Sequence, residues 1–317
     1  MKYALKRLAA FVVTMLLVSL FTFFAFALIS GDPAEMLLGT NATPAKVAAL
    51  RTELGLDQPL LLRYFKWLCG FFTGDLGISY RYRQPVWELL APKIGVTLVL
   101  SALSFLLIVV FSLPLGVFSA KRTGGARGAA RTAFGQLCMA VPPFALGIGL
   151  SWIFGVVLKL FTPGAFPDLR EAPAAALHYL FFAAVCIAVP RIAMTARLLR
   201  SGVREELKKD YVRASRARGA SLPQALVSHA LKNALVPTVA FLGQTMAEIV
   251  GAGIVVEQVF AVPGLGRLLV ASVSNRDHPV VMAAVVLLAF GVTAVGTAAD
   301  LLNQAVDPRL RLGGRAA

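Results

Sequence analysis

Cysteine, histidine and charge are all scarce in this chain. Its three cysteines and three histidines lie scattered among 317 residues, so neither a disulfide framework nor a CxxC-type metal site is available. The sequence has no G-x-x-x-x-G-K-[ST] phosphate loop, no H-x-x-x-H pair and no G-x-S-x-G nucleophile motif. We therefore expect no catalytic residue, no metal site and no cofactor in this chain.

Apolar residues dominate instead. They make up 58% of the chain, charged residues only 15%, and the mean hydropathy is +0.75, which is typical of a protein with several membrane spans. The net charge is +15, and the basic residues lie between apolar runs. Membrane topology and lipid headgroups explain this pattern better than nucleic acid does. We expect contact with membrane lipid and none with nucleic acid.

Six apolar runs are each long enough to cross a hydrocarbon core of about 30 Å. The first is too long for the apolar core of a signal peptide, although Ala25 and Ala27 leave a weak cleavage-site alternative. The third is interrupted by Pro142 and Pro143, and breaks of this kind are tolerated beside a cavity. The predicted spans are 8–30, 94–120, 132–161, 176–196, 237–256 and 280–302.

Lysine and arginine are concentrated at the start of the chain, after the second and fourth spans, and in the tail. The positive-inside bias then predicts an all-α membrane protein with six transmembrane helices and both termini in the cytoplasm. A long loop at 31–93 lies outside the cytoplasm, as a small helical cap, and a polar segment at 197–236 lies inside. Residues 257–279 form a further outer loop, and residues 1–317 form a single transmembrane domain.

The polar segment predicts a helix, a break and a second helix. Good helix formers fill 199–217, and Gly219 can take the left-handed conformation that ends a helix. Ser221 and Gln224 have the spacing of a capping box, so a second helix should follow. This shape suits a surface on which a soluble partner docks. The alternative is a solvated basic loop with no partner.

Few ionisable residues fall in or near the spans. They are Arg191, Glu248 and Asp300. A charge at membrane depth costs at least about 2.5–3.5 kcal/mol on insertion scales, so Glu248, Arg191 and the break at Pro142 are candidates for a transport pathway. In the alternative reading Arg191 pairs with a lipid phosphate and Asp300 is solvated. Three isolated charges do not make the dense relay of a proton-driven pump.

The stretch 197–237 resembles the cytoplasmic loop of bacterial ABC-importer membrane subunits, E-A-A-x-x-x-G-x(9)-I-x-L-P. Arg213-Ala214-Ser215 stands at E-A-A, Gly219 keeps the glycine, His229 stands at the isoleucine and Lys232 replaces the proline. These departures are similar to those of the dipeptide, oligopeptide and nickel branch, whose loop reads DYVR-x-A-R-A-x-G and then H-A-L-x-N-A-L-x-P. Further stretches of that branch occur in order along the whole chain: GDPA, LGLDQPL, GDLGIS, FAVPGLGRLL, NRDHPVV and DLLNQAVDPRLR.

The resemblance implies a permease subunit in a bacterial inner membrane that is not itself an enzyme. Two separate ATP-binding subunits hydrolyse ATP, a second homologous permease subunit, usually different, completes the pathway, and an extracytoplasmic solute-binding protein delivers the substrate. Peptides, nickel or metal chelates are the substrates of the branch, and the short second outer loop and Glu248 look somewhat more like its nickel or chelate members. The residues implied in docking and coupling to the ATPases are Asp210, Arg213, Ala214, Ser215, Gly219, Ser221 and His229.

Two other functions remain open at this point. The broken third span, Glu248 and Arg191 would suit a self-contained secondary transporter or channel, which would take up substrate alone and fail when an uncoupler is added. A membrane-bound structural or assembly factor would instead show no transport defect on deletion.

Overall fold

The computed structural model describes residues 2–28, 32–53, 55–121 and 125–306 of the chain. Within those ranges the secondary structure is helical, with one isolated β-bridge between Ile78 and Pro85. The tail at 307–317 and the start of the predicted outer loop at Gly31 lie outside the described residues. The α-helices are α1 Lys2–Leu28, α2 Pro33–Leu38, α3 Pro44–Glu53, α4 Leu60–Thr73, α5 Val86–Lys121, α6 Gly125–Ala140, α7 Pro143–Leu150, α8 Pro173–Glu206, α9 Asp210–Ala217, α10 Leu222–Ala225, α11 Leu231–Val259, α12 Leu265–Ser274 and α13 His278–Val306.

Five of the six predicted spans are single helices of membrane-crossing length within the described ranges. They lie in α1, α5, α8, the continuous α10–α11 stretch and α13. The third predicted span is a pair of helices, Gly128–Ala140 and Pro143–Val157, bent by 98° at the two prolines. The break predicted there is confirmed, and the described chain holds five spans, or six if the bent pair crosses as one.

One feature of the sequence prediction is wrong, and one predicted loop contains a helix that the sequence did not indicate. The helix predicted over 199–217 is interrupted, because α8 ends at Glu206 and α9 begins at Asp210. The outer loop predicted at 257–279 is largely helical, because α11 runs on to Val259 and α12 follows within the loop. The residues at 207–209 are good helix formers, so helix propensity alone does not predict the interruption.

The chain divides into two compact units. The first comprises Met1–Thr97 and Pro263–Thr293, and the second comprises Leu98–Val262 and Ala294–Ala317. In the first unit the predicted cap is folded as α2, α3 and α4. The Tyr64 hydroxyl on α4 lies 2.9 Å from that of Ser19 on α1, and the Phe23 ring packs edge-on against Tyr64.

A buried carboxylate ties two distant loops of the first unit together. Asp277, which precedes α13, is fully buried and accepts hydrogen bonds from the Ser79 hydroxyl and, at 3.0 Å, from the Tyr80 backbone N–H. The Ser79 hydroxyl in turn accepts from the Tyr82 N–H at 2.9 Å. Charge-assisted bonds to a buried carboxylate are the strong ones, so they fix the loop between α4 and α5.

The second unit is assembled around α8. This helix packs against α6, α7 and α11, and its residues from Tyr179 to Ala188 are mostly buried. The Tyr179 hydroxyl donates to the Phe260 carbonyl at 2.6 Å at the end of α11. Near the opposite end of α8, a Cβ added at Gly116 on α5 would lie 2.9 Å from the Leu199 side chain, so only glycine allows this approach.

Candidate functional site

The polar segment, residues 197–236, begins as an extension of a membrane helix. With 34 residues, α8 is roughly 50 Å long, which exceeds a hydrocarbon core of about 30 Å. Its last turns carry Arg197, Arg200 and Arg204 at a spacing that places them on one face. The Arg200 guanidinium donates to the Thr132 hydroxyl on α6 at 3.2 Å. α8 is therefore one continuous helix from its membrane span into the polar segment.

The joint follows at 207–209. The Leu207 N–H still bonds to the Val203 carbonyl at 3.0 Å, whereas Lys209 takes extended backbone with ψ 150°. The Lys209 side chain makes no capping hydrogen bond to the next helix, α9. The orientation of α9 must then be fixed by contacts elsewhere.

A polar network around Glu206 supplies those contacts. One Glu206 carboxylate oxygen accepts from the Lys209 ammonium, and the other accepts from the Tyr211 hydroxyl. Asn233, on the first turns of α11, donates to the Tyr211 hydroxyl at 2.9 Å and to Glu206 at 3.4 Å. The Tyr211 ring also meets His229 edge-on, with centroids 6.3 Å apart. The Glu206 network thus joins the end of α8, the start of α9 and the start of α11.

The two proton donors of the Glu206 network, Tyr211 and Lys209, both have raised pKa values. Partial burial, and next its hydrogen bond to Glu206, raise the pKa of Tyr211. The hydrogen bond to Glu206 raises the pKa of Lys209. Both groups therefore keep their protons at neutral pH, and the stability they add is lost only as the pH rises through their folded-state pKa values.

The second break has the local chemistry that the sequence predicts. Gly219 has φ +97°, and a Cβ added there would meet nothing within 4 Å, so the requirement for glycine is conformational. The Ser221 N–H donates to the Gln224 side chain at 2.9 Å, and the Gln224 N–H donates back to the Ser221 hydroxyl at 3.4 Å. The left-handed glycine and the capping box are both confirmed.

The polar segment returns to the membrane without another break. The short α10 passes into a π-helical turn, Leu226–Ala230, and then directly into α11. His229 lies exposed in this turn. A π-helical turn is wider than an α-helical turn, and such turns often occur at functional positions.

The residues predicted to dock a partner divide between two faces of α9 and its flanks. Ser215 is buried and points away from solvent, together with Val212. Asp210 and Arg213 form a 3.6 Å ion pair with side chains 97% and 74% exposed, which adds little stability. The predicted residues that the structure exposes are Asp210, Arg213, Ala214, Gly219, Ser221 and His229.

Arg191 and Glu248, predicted separately from the sequence, form an ion pair between α8 and α11. Glu248 is 48% exposed and Arg191 25% exposed, so the pair lies at the edge of the helix bundle of the second unit. Opposite charges attract more strongly where water is excluded, which lowers the cost of placing both in a membrane helix. Pro142, the third residue predicted for the pathway, lies on neither α8 nor α11 but at the bend before α7.

Several residues that build this region were missed from the sequence. Glu206, Tyr211 and Asn233 were read as ordinary members of a basic loop, although two of them lie within the D-Y-V-R and H-A-L-x-N-A-L motifs. Their mutual contact spans up to 27 residues and cannot be read from spacing.

Comparison with known proteins covers nearly the whole chain. Residues 112–312 match the family described as the binding-protein-dependent transport system inner membrane component, and residues 1–101 match its N-terminal membrane component. A protein described as a probable peptide ABC transporter permease of Sinorhizobium fredii is 34% identical over 309 residues, 98% of this chain and 99% of its own length. A glutathione transport system permease protein of Salmonella paratyphi A is 35% identical over 315 residues, again 98% and 99% of the two chains. The chain therefore belongs to the inner-membrane components of binding-protein-dependent transport systems, the multi-pass permeases of bacterial ABC importers.

Proposed function

We propose that this permease imports peptides together with a second permease subunit, two ATP-binding subunits and an extracytoplasmic solute-binding protein. The permeases it resembles serve peptides in one case and glutathione, itself a small peptide, in the other. Both termini and the polar segment lie in the cytoplasm, as the distribution of basic residues favours. ATP is hydrolysed by the partner subunits.

The observation that carries the coupling role is the continuity of the polar segment with two membrane helices. α8 enters it without a joint and α10 leaves it straight into α11. Between them, α9 is bounded by the joint at 207–209 and by Gly219, and the Glu206 network ties it to both helices. A force applied to α9 therefore reaches two spans of the second unit together.

Such a connection suits alternating access. When the ATPases change conformation on binding and hydrolysing ATP, α9 moves with them, and α8 and α11 change their packing. The bundle must have two stable arrangements, and the substrate must bind them with different affinity. The Arg191–Glu248 pair bridges these same two helices, so we expect its geometry to differ between the two arrangements.

A pull-down of the solubilised permease tests the docking surface. The block variant replaces Arg213, Arg216 and Arg218 with alanine, since all three are exposed, whereas the buried Ser215 is left intact. The wild type should retain an ATPase that the block variant loses. A matched control with three exposed basic residues of other loops replaced, Lys46, Arg81 and Arg170, should retain it. Retention of the ATPase by the block variant would contradict docking at α9.

The substrate class is tested by competition. Cells that depend on this transporter should take up a labelled dipeptide, and unlabelled peptides should compete for uptake. Nickel salts and nickel chelates should not compete. Competition by nickel with none by peptides would assign the permease to the metal-transporting members of the branch. Uptake by the permease alone, abolished by an uncoupler, would favour the self-contained transporter.

A further inference from the structure

A cavity in the first unit gathers more hydrogen-bond donors than the protein uses. It has a volume of about 220 Å³, and its polar lining comprises Asp32, Arg51, Arg63, Tyr80 and His278. We call it the cationic cavity. All five side chains belong to the predicted outer cap or to the first turn of α13.

The one carboxylate of this lining is already engaged. One Asp32 oxygen accepts from the Ala34 N–H at 3.0 Å, and the other accepts from the Arg51 guanidinium, also at 3.0 Å. Both Asp32 oxygens are thus engaged, and the structure shows no ion pair between Asp32 and the other described cation of the lining, Arg63. Arg51 also lies 3.5 Å from the Asp57 carboxylate and is thus shared between two acids, so Arg63 is the cation of the lining that has no ion pair within the described part of the chain.

Three other polar groups face the cavity without a hydrogen-bond partner among the residues that the structure describes. They are the Arg63 guanidinium, the Tyr80 hydroxyl and the His278 imidazole. A guanidinium can only donate, and a phenol and an imidazole can each donate as well. Polar groups that converge on a cavity without partners indicate a ligand with complementary acceptors.

The position of Tyr80 is fixed rather than incidental. Its backbone N–H donates to the buried Asp277, and its ring lies 6.3 Å from that of His278. Burial raises the pKa of Tyr80 to about 12, while Arg63 nearby lowers it and Asp277 raises it. The hydroxyl therefore keeps its proton and remains a donor at physiological pH.

The remaining lining is apolar. Phe23, Phe26 and Met282 lie beside the polar groups, and the Phe26 ring is 5.4 Å from that of His278. The cavity thus combines an apolar wall with a cluster of donors that includes the Arg63 guanidinium. This combination matches an amphipathic anion rather than a bare inorganic ion.

We propose that the cationic cavity binds a small organic carboxylate, with Arg63 as the charged donor and Tyr80 and His278 as neutral donors. The carboxylate pairs with the Arg63 guanidinium, and a short aliphatic group covers the apolar wall. The terminal carboxylate of a peptide on its way into the transporter fits this chemistry. That last assignment rests on the proposed function, whereas the carboxylate site itself does not.

The test uses the full-length permease in nanodiscs of phosphatidylcholine, without ATP or partner subunits. Calorimetry compares N-acetyl-alanine with N-acetyl-alanine amide, two probes that differ only in the carboxylate. The wild type should bind the acid at least about tenfold more tightly than the amide, since a charged hydrogen bond contributes that much. Equal binding of the two probes, or binding of neither, would overturn the site without touching the proposed coupling to ATPases.

Variants locate the site. Arg63→Gln should abolish the preference for the acid, and Tyr80→Phe should weaken acid binding by about fivefold, which is the effect of one neutral hydrogen bond. Arg81→Gln, an exposed arginine of the same loop, is the matched control and should bind like the wild type. If Arg63→Gln does not fold, Tyr80→Phe and the probe pair decide alone. An unchanged preference in the folded variants would overturn the proposal.

The source of the carboxylate is decided by displacement. Alanyl-alanine should displace N-acetyl-alanine from the wild type, and alanyl-alanine amide should not. Failure of the dipeptide to displace the probe would overturn the assignment to a peptide terminus.

Discussion

Gly219 takes a backbone conformation that a side chain disfavours. Its φ of +97° lies in a region open mainly to glycine, and no neighbour within 4 Å would resist a Cβ. The penalty of a substitution is therefore local strain and not a clash. This separates the conformational role of the residue from any role in packing.

We predict that Gly219→Ala destabilises the turn by about 1–2 kcal/mol and lowers ATP-dependent uptake with little effect on the amount of inserted protein. Gly219→Asn should be milder, because asparagine tolerates positive φ better. Uptake in vesicles, normalised to inserted permease, measures the effect. Equal uptake by the alanine variant and the wild type would show that the turn need not be rigid.

Glu248 and Arg191 make the second prediction at this scale. Glu248→Gln leaves Arg191 without its partner in a membrane helix, where a lone charge costs about 2.5–3.5 kcal/mol on insertion scales. Both the inserted amount and the uptake per inserted molecule should fall, and the exchange Arg191→Glu with Glu248→Arg should restore part of each. Glu205→Gln, at an exposed position on α8, is the control. Unchanged uptake per inserted molecule would assign the pair to packing alone.

Among the elements, α9 is held by its ends rather than by a broad interface. It has eight residues, with Val212 and Ser215 buried. An isolated helix of this length is unstable in water, so its contacts must supply the stability. The Glu206 network provides them at one end, and the backbone bond from the Ala220 N–H to the Ser215 carbonyl, at 3.3 Å, provides one at the other.

Removing one hydroxyl should loosen this element. Tyr211→Phe deletes the donor to Glu206 and the acceptor for Asn233, and we expect backbone hydrogen exchange over 207–217 to rise by about tenfold or more. Tyr82→Phe, at an exposed tyrosine in the first unit, should leave those rates unchanged. Equal exchange in wild type and Tyr211→Phe would mean that α9 is positioned by other contacts.

Elements were predicted well where the signal is local. The proline break of the third span, the left-handed glycine and the Ser221–Gln224 box each depend on a few neighbouring residues, and each is found. The joint at 207–209 was missed, since its residues are good helix formers and the interruption is stabilised by Asn233. The Arg191–Glu248 pair and the Asp277 tie were missed because each joins residues far apart in sequence.

For the whole molecule, the path of the chain through the membrane depends on the bent pair α6–α7. If the pair crosses the bilayer as one span, residues 161–172 lie outside and the polar segment lies inside. If it enters and leaves on one side, α8 is inverted and the polar segment faces outward, away from any ATPase. Because the pair is bent by 98°, both paths are open to it, and its path determines the orientation of every later span.

Labelling of single cysteines should distinguish these paths. The three natural cysteines are first replaced by alanine, and Arg170 or Arg213 is then changed to cysteine, since both positions are exposed. A membrane-impermeant maleimide added to spheroplasts should label position 170, and position 213 only after lysis. The reverse pattern would make α6–α7 a re-entrant loop and would contradict the proposed cytoplasmic docking surface.

The tie made by Asp277 also bears on biosynthesis. Ser79 and Asp277 are separated by 198 residues, and a ribosome adding about 5–20 residues per second needs roughly 10–40 s to make that stretch. During this interval the backbone donors of the early loop have no carboxylate to bind. The hydrogen bonds from Ser79 and Tyr80 cannot form before Asp277 has been made, so a chain that stalls before residue 277 lacks them. We therefore expect this loop to be cut by added protease more readily in a stalled chain than in the full-length permease.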